Sequence, residues 1–283
     1  MYVFDNYLQF ISAPIMKKLF VLLIMCGLFL SGCRYWVLYE FAEQFCEFED
    51  YVSVSWNEPS QQRQLQINFE EPVLDRHILL RYLNAMPLET LKTSDNGPQP
   101  SVVLSDIFAI HQTYIHSNTL SEPFQFRLNY HPLNEAPLLQ QAYLDARLSQ
   151  LFSPLLVEPI LRSLCSDVYD LSLKQLDMRF KLASLPKHSL PVLHELKAIF
   201  GKAEESIIEL SGEQTLRYEF DFLSKDLNGA WKKQERPITM LFGFDEERRL
   251  NNLYIKYYKY SYWLDVESLS GRLLVIRRGY FFL

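Results

Sequence analysis

Short runs in which apolar and polar residues alternate recur along the chain, and they predict β-strands. These runs lie at 51–56, 63–69, 102–110, 123–130, 168–173, 176–182, 215–223, 237–244, 253–266 and 273–276. Apolar residues at helical spacing follow Asp75 and Ser189, which are both good N-cap residues. Residues 154–165 are also typical of a helix, whereas 138–152 fit either a strand or a helix. The pattern predicts an α+β fold dominated by antiparallel sheet.

The order of these elements is similar in the two halves of the chain. Pro87 and Gly201, which end the helices that follow Asp75 and Ser189, are 114 positions apart, and so are Leu139 and Leu253. This register predicts a tandem repeat of a unit made of a strand hairpin, a helix and three strands, with units at 51–166 and 167–283. The alternative is a chance coincidence of two ordinary α+β halves. A true repeat would make 138–152 a strand.

The first part of the chain has the pattern of a secretory signal peptide. Lys17 and Lys18 precede an uncharged apolar run at 19–30, and a small-residue cleavage site with Cys33 follows. The run is shorter than the ~20 residues that a transmembrane helix needs. The alternative is a buried helix with a chance cysteine. We expect residues 1–32 to be removed, and translation from Met16 is the simplest explanation of the residues that precede the lysines.

The cleavage site Leu30-Ser31-Gly32-Cys33 resembles the lipobox of bacterial lipoproteins. The resemblance implies cleavage before Cys33, diacylglycerol on its sulfur and an acyl chain on its freed amine. Arg34 follows the cysteine, where an Asp would favour retention at the inner membrane. The resemblance therefore implies a lipid anchor at the periplasmic face of the outer membrane of a Gram-negative cell.

The segment that follows the lipidation site is amphipathic rather than a polar linker. Leu38, Phe41, Phe45 and Phe48 have helical spacing, with glutamates largely between them. We expect residues 33–50 to hold the lipidated cysteine and a helix that docks on the domain, because anionic lipid would repel the glutamates.

Two cysteines remain in the mature chain besides Cys33. Cys46 and Cys165 could form one disulfide in an oxidising compartment, or they could be two free buried thiols. Neither has a Cys or His partner at metal-ligand spacing, so we expect no metal site.

Charge and motifs limit the function classes. The 283 residues carry a net charge of −6, which argues against a nucleic-acid partner. No phosphate loop, serine elbow or zinc-binding motif is present in the sequence, and we expect no cofactor. The sequence therefore predicts a non-catalytic binding or envelope assembly factor with a protein partner. The alternative is a periplasmic hydrolase whose active site is dispersed in the sequence.

The second half has a helix end at 196–203, a hairpin centred on 216–220 and a strand at 238–244. This part of the chain resembles the small outer-membrane assembly lipoproteins of the SmpA/OmlA type. Ala203 replaces the proline that is usual there. The resemblance concerns the fold, which carries function poorly.

Tyrosines are concentrated in the long strand predicted at 253–266. On a continuous strand, Tyr258, Tyr260 and Tyr262 would share one face with Tyr254. One interpretation is cross-strand packing of these rings under a helix. The other is an exposed partner surface formed by Tyr258, Tyr260 and Tyr262.

Overall fold

A computed structural model describes most of the chain after residue 47. The described residues are 48–57, 63–70, 74–83, 85–94, 102–113, 122–133, 136–164, 168–171, 175–225, 231–233 and 237–276. Cys33, Cys46 and Cys165 lie outside them, as does nearly all of the segment 33–50.

The described residues form four α-helices and fifteen β-strands. The helices are α1 (Phe48–Tyr51), α2 (Arg76–Leu83), α3 (Pro154–Ser163) and α4 (Leu193–Phe200). The strands of the first half are β1 (Val52–Asn57), β2 (Gln64–Phe69), β3 (Glu89–Ser94), β4 (Val102–Gln112), β5 (Phe124–Leu133) and β6 (Ala136–Tyr143). Those of the second half are β7 (Val168–Leu171), β8 (Gln175–Lys181), β9 (Glu205–Ile208), β10 (Gln214–Lys225), β11 (Trp231–Lys233), β12 (Ile238–Phe244), β13 (Leu250–Tyr257), β14 (Tyr260–Asp265) and β15 (Ser270–Ile276).

All of these strands belong to one antiparallel sheet. Its main path runs in the order β1-β2-β6-β5-β4-β10-β12-β13-β14-β15-β8-β7, while β3 pairs with β4, and β9 and β11 pair with β10. The two halves meet where β4 pairs with β10, from Gln112 opposite Phe220 to Ala109 opposite Leu223. The predicted dominance of antiparallel sheet is confirmed.

The sheet is strongly curled. Helix α3 contacts β1 at one end of the strand order, and the same helix lines a cavity with β13, β14 and β15. In a flat sheet β1 and β14 would lie about 40 Å apart at the usual strand spacing. This is far more than the ~10 Å diameter of a helix. The sheet therefore wraps around its helices, and its concave face holds the core.

Buried aromatic rings pack α4 onto the middle of this concave face. The ring of Phe200 lies 5.5 Å from that of Phe124 on β5 and 5.3 Å from that of Phe220 on β10. Phe242 on β12 lies 5.8 Å from the Phe200 ring. Side chains of both halves thus share one hydrophobic core.

The predicted strand 253–266 is a hairpin, and this corrects the assignment of its faces. The chain turns at Tyr258 and Lys259, and Tyr257 pairs with Tyr260 across β13 and β14. Tyr258 has a positive φ of 52°, which the tight turns of two-residue hairpins require at their first central position. The turn separates Tyr254 from Tyr262, because Tyr262 pairs with Ile255 and so shares the face of that residue.

The N-cap at Asp75 is confirmed, since its Oδ1 accepts hydrogen bonds from the backbone N–H groups of His77 and Ile78. The predicted helix at 154–165 is confirmed as α3, and residues 138–152 divide into the end of β6 and a 3₁₀ turn at Leu148–Gln150. The cap at Ser189 is wrong, because α4 begins after Val192.

A candidate binding cavity

An apolar cavity lies between the helices of the first half and the strands of the second half. Its volume is about 430 Å³, and it is partly open to solvent. The helical wall consists of Leu79, Leu83, Phe152, Leu156, Val157, Ile160, Leu161 and Leu164, and the sheet wall of Leu250, Leu253, Tyr257, Tyr260, Tyr262, Leu264 and Leu273.

Only carbon atoms of these described residues form the accessible wall. A polar group transferred from water into such a site would lose its hydrogen bonds to water and gain none from the wall. The cavity is thus chemically suited to an apolar ligand, or to the apolar part of an amphipathic one.

Filling the cavity has an energetic consequence. The cavity is partly open to solvent, so its apolar wall is in contact with water. A ligand that covers this wall removes apolar surface from water, and each Å² removed contributes about 25 cal/mol.

Helix α3 is held at the helical wall by polar contacts on its opposite side. Glu158 Oε2 accepts a hydrogen bond of 3.1 Å from the backbone N–H of Val54 on β1. Glu158 also pairs with Arg162, one turn later, at 3.0 Å. Leu156 and Val157, which precede Glu158, line the cavity, whereas Leu155 is 52% exposed.

The sheet wall depends on a close contact between two neighbouring strands. Gly271 on β15 lies opposite Phe180 on β8, and the ring of Phe180 occupies the space in which a Cβ would stand. Phe180 in turn stacks on Tyr262, with ring centroids 6.0 Å apart. The Phe180 ring therefore packs against Tyr262, which lines the cavity.

The structure places the predicted tyrosine surface differently from the expectation. Tyr260 and Tyr262 are half-buried and line the cavity below the helices, and Tyr258 is half-buried in the turn. Tyr260 and Tyr262 are thus not exposed on an open sheet face, and the packing interpretation fits them. A partner surface that includes Tyr258 stays a prediction. Burial raises the pKa of Tyr262 well above its usual value.

Comparison with protein-family models, curated proteins and solved structures found no match.

Sequence reasoning missed the helical wall of the cavity. One feature could have indicated it: α3 reads PLLVEPILRS, which is more apolar than a helix with one solvent face requires. Leu156 and Val157 are adjacent, and Ile160 and Leu161 follow one turn later. Such a wide apolar surface is typical of a helix that is buried on more than one side.

The remaining described residues provide two further observations. No three His, Cys, Asp or Glu side chains gather into a metal-binding group within the described ranges. No helix in the same ranges is long and apolar enough to span a bilayer.

Proposed function

We propose that this protein is a lipid-anchored binding protein at the periplasmic face of the outer membrane, acting without catalysis, and that it binds an apolar ligand in the cavity. The anchor is the acylated Cys33 that the lipobox implies. We also propose a protein partner in the envelope, which an assembly role would require.

The observation that carries the binding role is the wall of the cavity. Ligand sites in proteins usually have volumes of about 300–1,000 Å³ and mostly apolar linings. The cavity fits that range at about 430 Å³, and its wall is formed by carbon atoms. A ligand that fills the cavity would remove this apolar wall from water, which favours binding.

The proposal includes the tandem repeat. Strands β1 to β6 and the series β7, β8, β9, β10, β12, β13 have the same order around helices α2 and α4. Strands β6 and β13 begin at Ala136 and Leu250, which are again 114 positions apart. The second unit has an additional pair of strands, β14 and β15, after β13. Strand β15 of this pair is the one that pairs with β8. In this interpretation the added pair extends the sheet wall of the cavity.

The binding role is tested with a fluorescent apolar probe such as N-phenylnaphthylamine. The full chain should increase the emission of the probe, and Val157→Phe, which narrows the cavity, should weaken its binding about tenfold or more. Leu155→Phe is the matched control, because Leu155 is exposed on the same helix. Equal binding by the two variants, or no binding by the unaltered chain, would contradict the proposal.

The anchor is tested separately by Cys33→Ser. This variant should be released from membranes or should accumulate as an unprocessed precursor, because acylation supplies the attachment. Membrane-bound, fully processed Cys33→Ser protein would rule out the lipid anchor. Peptide mapping without reductant would show whether Cys46 and Cys165 are bonded, and crosslinking in intact envelopes would identify the protein partner.

A further inference from the structure

We infer that the ligand of the cavity is an acyl chain, which enters with its hydrocarbon tail and leaves its polar head group in water. This inference depends on the proposed binding role and specifies the class of ligand.

The composition of the wall favours a flexible hydrocarbon. Eleven of the fifteen lining residues are Leu, Ile or Val, and the other four are Phe152, Tyr257, Tyr260 and Tyr262. None of the polar atoms of these residues contributes to the accessible wall. Ligands that carry polar atoms along their length, such as nucleosides, sugars or peptides, would bury those atoms without partners.

The shape of the cavity separates the two ends of such a ligand. The cavity is only partly enclosed, so one side of it is in contact with solvent. A head group at this opening keeps its hydration, while the methylene groups replace water along the aliphatic wall. An acyl chain also adapts to the irregular space between α3 and the curled sheet by rotation about its single bonds.

This mode of binding makes affinity depend on chain length more than on head group. Each buried methylene contributes a free energy that corresponds to an approximately fourfold increase in affinity. The increase should stop when the tail fills the cavity, since further methylenes remain in water. Adsorption to an apolar surface would have no such limit.

The test is a displacement series on the full chain, held in an amphipathic polymer in place of detergent. A photoreactive fatty acid is crosslinked to the protein, and unlabelled fatty acids of about six to about eighteen carbons compete with it. We expect competition to strengthen about fourfold per added methylene and then to level off. Crosslinks should map to α3 and to strands β13 to β15.

The variants sharpen the test. Val157→Phe should move the plateau to shorter chains, and Leu155→Phe should leave it unchanged. Competition that rises without a plateau, or that is the same in both variants, would overturn the inference. If the apolar probe binds but no fatty acid displaces it, the acyl ligand is wrong while the binding role stands. If neither binds, both are wrong.

Discussion

Arg76 and Asp106 connect helix α2 to the sheet through two parallel hydrogen bonds. Arg76 Nε donates to Asp106 Oδ2 at 2.7 Å, and Arg76 Nη2 donates to Oδ1 at 2.9 Å. Thr90 Oγ1 also donates to Oδ1, at 2.7 Å. Asp106 has no solvent-exposed surface, and its hydrogen bond raises the pKa of Arg76 above the usual value. This buried pair fixes the helix that provides Leu79 and Leu83 to the cavity.

Removal of Arg76 should therefore destabilise the protein strongly. Arg76→Ala leaves the carboxylate of Asp106 buried without its charged partner, and we expect a loss of about 3–5 kcal/mol in the free energy of unfolding. Arg162→Ala is the control, since Arg162 forms a partly exposed pair with Glu158, and we expect it to cost less than ~1 kcal/mol. Urea titration measures both values. Similar losses in the two variants would contradict the structural role of the Arg76 pair.

A second prediction concerns the contact between Gly271 and Phe180. A Cβ at position 271 would lie 2.2 Å from Cζ of Phe180, so Gly271→Ala should destabilise the protein by about 1–3 kcal/mol. The same substitution should cost clearly less in a Phe180→Leu background, because leucine lacks the outer ring atoms. A double-mutant cycle by urea titration measures this coupling. If Gly271→Ala costs the same in both backgrounds, the steric explanation fails.

Removal of a buried hydroxyl should have opposite effects at Tyr262 and Tyr218. The hydroxyl of Tyr262 is buried and makes no hydrogen bond to any residue that the structure describes. Tyr262→Phe should therefore stabilise the protein by about 1 kcal/mol. The hydroxyl of Tyr218 donates to the carbonyl oxygen of Gly201 at 3.1 Å, so Tyr218→Phe should cost about 1 kcal/mol. Thermal or urea unfolding of both variants measures the sign of each change in stability. A loss of stability in Tyr262→Phe would show that the hydroxyl of Tyr262 has a hydrogen-bond partner.

The stability of the protein should decrease in acid partly through Asp177. Its carboxylate accepts hydrogen bonds of 2.7 and 2.8 Å from Arg272 and lies 3.3 Å from Arg179. Burial by itself raises the pKa of Asp177, but the hydrogen bonds and charges of the two arginines outweigh it, and the pKa lies below its usual value. The folded state thus binds fewer protons than the unfolded chain, in which an aspartate titrates near pH ~3.9.

This stabilisation is complete at neutral pH and is lost as the pH falls below about 4 towards the lower pKa of the folded state. Asp177→Asn should lower the urea midpoint at pH ~7 and reduce its change between pH ~7 and ~3. Asp50→Asn, at an exposed position, is the control. If the urea midpoint of Asp177→Asn changes with pH as much as that of the unaltered chain, Asp177 does not contribute to the loss of stability in acid.

Local patterns along the chain predict much of the fold. The N-cap at Asp75 and the apolar period of α3 were sufficient to predict helices α2 and α3, because both signals depend on neighbours in sequence. The hairpin of β13 and β14 was missed, since Tyr258 and Lys259 carry none of the Gly, Asn or Asp residues that usually indicate such a turn. A continuous strand then placed Tyr254 and Tyr262 on one face, although the turn places them on opposite faces.

The cavity depends on long-range geometry, which no local pattern contains. Val157 and Tyr262 are more than a hundred residues apart, and they approach only because the sheet curls. The apolar excess of α3 indicates a buried surface, but it does not identify strands β13 to β15 as the opposite wall. The pairing of β4 with β10 determines how the two halves face each other, and short alternating strands leave that pairing open.

The most direct measurement is methyl-detected NMR of the full chain with a carbon-13-labelled fatty acid. We expect intermolecular contacts between the acyl methylenes and the methyl groups of Leu156, Val157 and Leu264, which line the cavity from both walls. The exposed side chains of Ile208 and Leu210 serve as the reference for surface adsorption. Contacts to Ile208 and Leu210 without contacts to the cavity residues would contradict the binding of an acyl chain in the cavity.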